Sequence, residues 1–425
     1  MEVQFLGGAG EIGRSAVLVD DRLLLDYGMA SESPPQYPVG DVDPDAVVVS
    51  HGHLDHVGAV PALMGAGDLP PVHWTPPTRD LALTLAEDTL KLHGSTPRCP
   101  FTETDVHRLT QASVTHGYGE SFEAAGYEVT LYEAGHIPGS AHVLVDDSEV
   151  RRTSGNRTQS DDGETRLLYS GDFHTGRQRL VDATTARPEA DAVICESTYS
   201  DASHEDRDSV ERRFVESLQQ TVWQGGTVVV PAFAIGRTQE AMLVCAAHDV
   251  DCYVDGMGQR VTDTLVDHPE FLRDAEALRG ARSNARYVDG RNGQRERIAQ
   301  QNTVIITTSG MLNGGPAMTY VPAIRGHPTN TVALTGYQVQ GTPGRELLET
   351  GRAEFDGRML SVSATVELHD FSAHADREGL REFLAAYRDA RVLVNHGDRC
   401  GPFAATLRED GYDASAPELG ETVQL

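Results

Sequence analysis

The sequence predicts an α/β protein in which one α/β domain is interrupted by a second α/β domain. Three observations support this prediction. Residues 1–200 contain short apolar runs separated by glycine and aspartate turns, residues 201–345 alternate between helix-like and strand-like segments, and residues 346–425 return to strands around a helix. A chain of 425 residues is long enough for two or three domains. We therefore assign residues 1–200 and 346–425 to one domain and residues 201–345 to a domain inserted into it.

The N-terminal region predicts a series of short strands. Strand-like runs occur at VQFLGG, SAVLVD and RLLLDYG, and the continuous β-branched run DAVVVS at 45–50 is typical of a buried strand. Residues 78–94 have helical spacing and end in glycine. Further strands are predicted at GYEVTLYEAG, AHVLVDD and TRLLYSGD. The polar segment 148–165 between the last two lacks an apolar period, so we expect a surface loop there.

The middle of the chain alternates between helix and strand. An amphipathic helix is predicted at SVERRFVESLQQTVWQGG, followed by a strand, a loop and a helix in TVVVPAFAIGRTQEAMLVCAAHD. Two further strands are predicted at CYVDGM and NTVIITTSG. This alternation is typical of parallel βαβ units. The last region predicts strand, loop and helix in SVSATVELHDFSAHADREGLREFLAAYRDA and a strand in RVLVNHGD.

The composition is strongly acidic. The chain has 64 acidic and 35 basic residues, a formal net charge of −29, and Lys91 is its single lysine. An acid excess of this kind with almost no lysine is typical of proteins from salt-loving archaea, which hold molar salt inside the cell. Molar salt screens charges over about 3 Å, so the acidity does not exclude a nucleic-acid substrate.

Cysteine usage and hydropathy indicate a cytoplasmic protein without a membrane partner. The five cysteines are scattered and form no CxxC pair, which argues against a disulfide framework or a cysteine–zinc site. The N-terminal residues lack the basic and long apolar segments of a signal peptide. No window approaches the ~20 apolar residues that a membrane-spanning helix needs.

The segment SHGHLDHVGA at 50–59 holds three histidines and an aspartate within six positions. A surface helix could carry such residues by chance, but this cluster directly follows a predicted buried strand. Ligands of open α/β sheets bind beyond the carboxyl ends of the strands. Imidazole and carboxylate groups together suit zinc. We therefore predict metal ligands here: His51, His53, Asp55 and His56.

Further candidate ligands follow other strand-like runs. His136 lies in LYEAGHIPGSAH, Asp172 in LLYSGDFHTG and His396 in VLVNHGD. Each one alone could be an ordinary structural residue. Together with the four ligands of segment 50–59, these three residues complete two metal sites. Both sites share Asp172, whose two carboxylate oxygens could bridge two ions. The two predicted ligand groups are His51, His53 and His136, and Asp55, His56 and His396.

These motifs resemble a known family. Three motifs resemble those of the metallo-β-lactamase superfamily: HxHxDH, GH followed by PGSAH, and SGD. Three others resemble the additional motifs of the β-CASP nucleases within that superfamily: ICEST, DFSAHAD and VNHGD. Two further segments, VVVPAFAIGRTQEAML and TTSGMLNGGPA, are similar to the cleavage and polyadenylation factor branch. We expect the short archaeal form of that branch, because no KH-like RNA-binding module is recognised before the first strand. The resemblance covers essentially the whole chain. It implies an αββα sandwich interrupted by an inserted α/β β-CASP domain.

The resemblance also implies roles for single residues. All seven predicted ligands match metal ligands of the family, and Asp55 is also expected to take part in catalysis. His374 matches a histidine thought to protonate the leaving oxygen, and Glu196 matches the acid that holds this histidine. Asp26 matches a structural aspartate. His396 stands where DNA-processing relatives carry valine, which favours RNA as the substrate.

The expected activity is therefore hydrolysis of phosphodiester bonds in single-stranded RNA, in RNA processing, 3′-end maturation or decay. Two zinc ions would activate a hydroxide for in-line attack on phosphorus. A DNA nuclease of the same fold and a small-molecule metallo-hydrolase are the alternatives. A homodimer and other RNA-processing factors stay open as partners.

Two loops are candidates for binding the RNA backbone. AIGRTQEAM places Arg237 and Thr238 at the start of a predicted helix, where backbone amides and a guanidinium can hold phosphate. A plain turn with a capping threonine is the alternative. The glycine-rich SGMLNGGPA offers Ser309 and Gly310. Aromatic residues make up 6% of the chain, and we expect no platform for stacking bases.

We predict that the folded chain is stabilised by salt. Raising KCl from about 0.1 M to about 2 M should raise the midpoint of thermal unfolding, because salt screens the repulsion among the excess acidic groups. Circular dichroism measures the midpoint, and sorbitol at matched osmolality is the control for effects unrelated to charge. An unchanged or lower midpoint in high salt would contradict the prediction.

Overall fold

The computed structural model describes residues 1–30, 34–65, 67, 69–94, 96, 99–147 and 165–425. The predicted surface loop at 148–165 lies, except for its last residue, outside these described residues. Contacts divide the chain into two compact units. Unit 1 comprises Met1–Gly176, Ala183–Ser203 and Ala373–Leu425, and unit 2 comprises Arg177–Asp182 and His204–Ser372.

This division differs from the sequence expectation in two places. The short segment Arg177–Asp182 belongs to unit 2, because the buried Glu240 carboxylate accepts hydrogen bonds from the backbone N–H groups of Arg179 at 2.8 Å and Leu180 at 2.9 Å. Unit 2 also continues to Ser372 rather than ending at 345. The reason is that residues 365–368 form a strand that pairs with residues 331–334 of the same unit.

The strands and helices are numbered in chain order. The strands are β1 Glu2–Gly7, β2 Ala16–Val19, β3 Leu23–Leu25, β4 Ala46–Val48, β5 Val72–Trp74, β6 Ser113–Thr115, β7 Ser121–Ala124, β8 Tyr127–Glu133, β9 Ala141–Asp146, β10 Arg166–Tyr169, β11 Ala192–Glu196, β12 Val228–Pro231, β13 Cys252–Asp255, β14 Arg286–Tyr287, β15 Val304–Thr307, β16 Thr331–Leu334, β17 Arg352–Phe355, β18 Arg358–Ser361, β19 Thr365–Leu368, β20 Arg391–Asn395, β21 Asp413–Ser415 and β22 Thr422–Gln424. The α-helices are α1 Leu54–Val57, α2 Pro76–His93, α3 Glu103–Ala112, α4 Arg207–Trp223, α5 Arg237–Ala247, α6 Met257–Val266, α7 Ala275–Asn284, α8 Gln294–Ile298, α9 Ala317–Ile324, α10 Pro343–Thr350, α11 Arg377–Leu384 and α12 Cys400–Glu409. Short 3₁₀ helices span Val60–Met64, Pro269–Phe271 and Ala385–Tyr387.

Unit 1 contains two sheets that pack face to face. The first has the order β22-β1-β2-β3-β4-β5-β6, and the second has the order β21-β20-β11-β10-β9-β8-β7. Alternate side chains of both sheets, among them Val3 and Phe5 of β1 and Leu131 and Val143 of β8 and β9, form a fully buried core between the sheets. Such alternation puts every second side chain of a strand on the same face.

Helices cover the outer faces of both sheets. Ala82 of α2 and Leu109 of α3 pack in one cluster with Trp74 of the first sheet. In the same way, α11 and α12 cover the second sheet through Phe383 and Phe403. The layers are thus helix, sheet, sheet and helix, and the predicted αββα sandwich is confirmed.

Unit 2 is built on a parallel sheet with the order β14-β13-β15-β12-β16-β19. Every neighbouring pair in this sheet is parallel, as the alternation of helix and strand predicts. Its three central strands are fully buried, and Ile305, Val229 and Val332 belong to one apolar core. Parallel strands direct all their carboxyl ends to one edge of the sheet, which is where loops carry ligands in such folds.

Several helices begin where the local sequence supplies a cap. The Thr102 hydroxyl and the Asp105 carboxylate form a reciprocal capping box at the start of α3. At the start of α11, the Asp376 carboxylate accepts a hydrogen bond from the Gly379 backbone N–H at 2.9 Å. This cap starts α11 just after His374, so His374 lies in the loop rather than in the helix.

None of the helices in the described part of the chain combines the length and the apolar composition that crossing a bilayer requires.

Candidate metal centre

The predicted ligands of unit 1 all lie near strand ends. Asp172 follows β10, His396 follows β20, His136 follows β8, and the segment from His51 to His56 follows β4 and continues into α1. His396 has a backbone φ of 48°, a conformation that non-glycine residues seldom adopt. Strand ends from both sheets therefore meet at one place.

The structure brings the predicted ligands together in two groups that share Asp172. The candidate ligand atoms of each group lie within 4.8 Å of one another. The first group is His51, His53, His136 and Asp172, and the second is Asp55, His56, Asp172 and His396.

Asp172 is the buried centre of this arrangement. Its Oδ2 lies 3.5 Å from His51 Nε2, 3.4 Å from His56 Nε2 and 4.0 Å from His136 Nε2. Its Oδ1 lies 3.5 Å from His396 Nε2. Each carboxylate oxygen thus faces imidazole nitrogens, which is the arrangement expected of a carboxylate between two cations.

Burial keeps three of the imidazoles neutral. It lowers the pKa of His51 and of His136 well below the usual value for histidine, and it lowers the pKa of His53 to about 4. The cause is that a charged imidazolium loses its hydration in the protein interior. Neutral imidazole is the form that binds a metal ion, so these side chains need no deprotonation at neutral pH.

Asp26 supports the centre from behind, as expected of a structural aspartate. Its Oδ2 accepts hydrogen bonds from His56 Nδ1 at 2.6 Å and from the Tyr169 hydroxyl at 2.8 Å, while its Oδ1 accepts one from the Ser50 N–H at 2.7 Å. Burial lowers the pKa of His56, but the carboxylates of Asp172 and Asp26 outweigh burial and hold this pKa well above its usual value. The Nδ1 proton of His56 is fixed on Asp26, and Nε2 faces the cluster.

Other residues hold histidines in the same way, and the sequence did not reveal them. The Ser15 hydroxyl lies 2.8 Å from His396 Nδ1. The Ala373 carbonyl accepts a hydrogen bond from His136 Nδ1 at 2.7 Å. Ser15 lies 381 positions from His396, and a backbone carbonyl carries no sequence signal at all. Such outer contacts fix the ring orientation of metal-binding histidines.

The residues present fit a divalent cation. His51 Nε2, His56 Nε2, His396 Nε2 and Asp172 Oδ1 are buried and have no hydrogen-bond partner within the described residues. Buried polar atoms nearly always have partners, so four such atoms in one cluster need an explanation. A metal ion would explain them, because the imidazole nitrogens and the carboxylate oxygen can each offer it a lone pair, His56 Nε2 after losing its proton. Nitrogen and carboxylate oxygen ligands without thiolates suit zinc.

Glu196 and His374 form a pair beside this cluster. Nδ1 of His374 lies 3.2 Å and 3.3 Å from the two carboxylate oxygens of Glu196, and 3.9 Å from Asp172 Oδ2. Glu196 is buried and also accepts a hydrogen bond from the Phe173 N–H at 3.0 Å. The carbonyl of His374 accepts a hydrogen bond from His174 Nδ1 at 2.8 Å, which fixes the backbone of the loop.

The four predicted substrate-binding residues belong to unit 2. Arg237 is the first residue of α5 and is buried, and the buried Thr238 hydroxyl donates to the Phe233 carbonyl at 2.7 Å. The Ser309 hydroxyl accepts a hydrogen bond from the Asn313 N–H at 2.9 Å. The hydroxyls of Thr238 and Ser309 are thus used to shape their own loops, and the substrate role of the four residues, Arg237, Thr238, Ser309 and Gly310, stays a prediction.

Three family models match the chain one after another. The model of the metallo-beta-lactamase superfamily matches residues 9–151, the Beta-Casp domain matches residues 239–347, and the Zn-dependent metallo-hydrolase RNA specificity domain matches residues 359–417. The last match includes both His374 and His396.

Archaeal proteins are similar over nearly the whole length. The probable RNase MJ4 of Methanocaldococcus jannaschii is 31% identical, and the match covers 100% of both chains. The RNase aCSPSF2 of Saccharolobus solfataricus is 34% identical over 100% of this chain and 85% of the relative. The transcription termination factor FttA of Pyrococcus abyssi is 31% identical over 99% of this chain and 70% of the relative.

A solved structure also matches the fold. The crystal structure of a protein of unknown function from Enterococcus faecalis V583 has a TM-score of 0.60 and 13% sequence identity, and the match covers 100% of this chain and 99% of that chain. At this identity the likeness shows the fold alone. Together with the family models and the archaeal relatives, the cluster around Asp172 leads to one assignment: the chain belongs to the metallo-β-lactamase superfamily and, within it, to the β-CASP ribonuclease family.

Proposed function

We propose that this protein is a ribonuclease that hydrolyses phosphodiester bonds of single-stranded RNA with two zinc ions. One observation carries the proposal. Two groups of metal-binding side chains share the buried Asp172, and the Glu196–His374 pair stands directly beside them. Two metal ions next to a histidine held by a carboxylate is a combination suited to breaking a phosphodiester bond.

The two groups would each hold one ion. Zinc bound there would lower the pKa of a bound water to about 7 and would neutralise negative charge on phosphoryl oxygens. Asp172 belongs to both groups, so it is the residue that ties the two sites together. The Asp55 side chain is 29% accessible, so a substrate can approach the cluster from the side of this residue.

His374 is the proposed general acid. Glu196 faces Nδ1, so Nε2 is the nitrogen that gives a proton to the leaving oxygen. The negative charge of Glu196 stabilises the imidazolium form that a general acid requires. Glu196 in turn is held by hydrogen bonds from the backbone N–H groups of Phe173 at 3.0 Å and Thr198 at 3.3 Å. Glu196 is thus a positioning residue for His374.

RNA is the substrate that the family membership supports. Two of the similar proteins are named RNases, and the model of the RNA specificity domain matches residues 359–417. Another similar protein is named a transcription termination factor. We therefore place the activity in RNA processing or decay.

We predict that Asp172→Asn lowers the zinc content. The amide keeps the shape of the side chain but removes the negative charge between the two groups. Zinc per chain, measured by inductively coupled plasma mass spectrometry after dialysis, should fall from two to one or fewer. His327→Ala, which removes an exposed histidine of unit 2, is the matched control and should keep two zinc ions.

An Asp172→Asn variant that retains two zinc ions would contradict the shared role of this carboxylate. Wild-type protein that binds no zinc under the same conditions would contradict the metal centre as a whole.

We further predict that His374→Ala separates chemistry from metal binding. The variant should retain zinc and lose about 10²- to 10⁴-fold in the rate of cleavage, which is the usual contribution of a general acid. Glu196→Gln should lower kcat with little change in KM, because it weakens the stabilisation of the imidazolium without removing a substrate contact. RNA labelled at each end in turn gives both the rate and the products.

Unchanged cleavage by His374→Ala, with zinc still bound, would refute the acid assignment. His327→Ala again serves as the control, since its cleavage rate should equal that of the wild type.

A further inference from the structure

We infer that Phe233 and Tyr337 of unit 2 form a stacking surface for the bases of single-stranded RNA. The inference rests on the proposed function, because it takes RNA as the ligand. It assigns a second contact region, outside the metal centre, that binds bases through their faces.

The first observation is the exposure of these two rings. Phe233 is 40% exposed and Tyr337 is 44% exposed. In the described ranges, Trp223 is the one other phenylalanine, tyrosine or tryptophan side chain in the exposed class, at 85%. Trp223 ends α4, whereas Phe233 and Tyr337 both follow strands of the parallel sheet. Two of the three exposed rings therefore share one edge.

The second observation is the position of the loops. Phe233 follows β12, Tyr337 follows β16 and Gly310 follows β15. In the sheet these strands are direct neighbours in the order β15-β12-β16, and both pairs are parallel. Their carboxyl ends lie side by side, which is the general location of ligand sites in open parallel sheets.

The third observation is that contacts around Gly310 fix both loops. A Cβ atom at position 310 would lie 2.9 Å from the backbone nitrogen of Phe233, so the two loops touch. The buried Gln338 Nε2 donates to the carbonyls of Gly310 at 3.3 Å, Gly336 at 3.0 Å and Tyr337 at 3.3 Å. The side chain of Gln338 thus ties the loop of Tyr337 to the loop that touches Phe233.

The backbone of Phe233 is also held from the other side. Its carbonyl accepts hydrogen bonds from the N–H group of Thr238 at 3.0 Å and from the Thr238 hydroxyl at 2.7 Å. These contacts give Thr238 a positioning role, because they set the loop that presents the Phe233 ring. Exposed rings on fixed loops lose little conformational entropy when a flat ligand stacks on them.

The electrostatics of this edge favour a nucleic acid. The helices α5 and α10 begin beside these loops, at Gly236 and Thr342, and helix N-termini carry partial positive charge. Arg237, the first residue of α5, is buried, so its guanidinium is not offered at the surface. The partial positive charge of the two helix N-termini nevertheless lies beside the exposed rings, in a chain whose net charge is −29. In a bound single strand, the phosphates would lie beside the helix N-termini and the bases would stack on the exposed rings.

The test measures binding without cleavage. The full chain carrying His374→Ala is titrated against fluorescein-labelled oligoadenylate, and against a ribose-phosphate oligomer of equal length without bases, by fluorescence anisotropy in about 2 M KCl. Phe233→Ala and Tyr337→Ala should each weaken binding of oligoadenylate by about tenfold, the usual effect of losing one stacking ring. Binding of the oligomer without bases should stay unchanged.

Matched variants complete the design. Trp223→Ala removes an exposed ring elsewhere in unit 2 and should leave both affinities unchanged. Tyr337→Phe keeps the ring and loses the hydroxyl, so it should bind oligoadenylate like the parent. Zinc content and the midpoint of thermal unfolding, measured for every variant, show whether the fold is retained.

Equal binding of oligoadenylate by the parent and by the Phe233→Ala, Tyr337→Ala double variant would overturn the inference. An equal loss for both oligomers would also overturn it, because stacking acts on bases alone. The proposed function is tested separately, by cleavage of RNA with the zinc-loaded wild type. If the zinc-loaded wild type cleaves RNA but the double variant binds oligoadenylate like the parent, only the stacking surface is rejected. If the zinc-loaded wild type does not cleave RNA, the ribonuclease assignment is rejected.

Discussion

The charge of one buried carboxylate, Asp172, governs the metal centre. Burial by itself raises the pKa of this group, but attraction to His396 and His56 outweighs burial and holds the pKa well below its usual value. An ionised carboxylate inside a protein is costly unless cations or strong donors surround it. The fold meets that requirement by directing imidazoles at both carboxylate oxygens, and a bound metal ion would meet it more fully. The same requirement explains why so many ligands converge on one aspartate.

The αββα sandwich makes this convergence possible. Its two sheets bring the ends of β4, β8, β10 and β20 to one place, although these strands are far apart in the chain. Behind the ligands lies a layer of contacts that fixes each ring. Asp26 holds His56, and the carbonyl of Ala373 holds His136. The positions of the candidate metal ligands thus depend on residues that are not ligands themselves.

The metal ligands can be predicted from the sequence, but most of the residues that hold those ligands in place cannot. HxHxDH is a dense and unusual pattern, and Asp172 and His396 could be recognised because each directly follows an apolar run. The order of those runs predicted two α/β domains, and the resemblance to the metallo-β-lactamase superfamily added the αββα layers. Ser15 could not be recognised, because a single serine becomes a partner of His396 only when the sheets pack. The end of unit 2 was placed at 345 because the pairing of β19 with β16 is a long-range contact that local patterns do not encode. The rings of Phe233 and Tyr337 cannot be located from the sequence, because a low aromatic content does not say where the few rings lie.

The short segment Arg177–Asp182 has a bearing on how this architecture can be recombined. It belongs to unit 2 although it precedes residues 183–203 of unit 1. Its backbone N–H groups donate hydrogen bonds to the Glu240 carboxylate. A chimera that exchanged only residues 204–372 between relatives would leave a foreign hexapeptide against a buried acid. The inserted unit therefore consists of two coupled pieces of chain rather than one continuous segment.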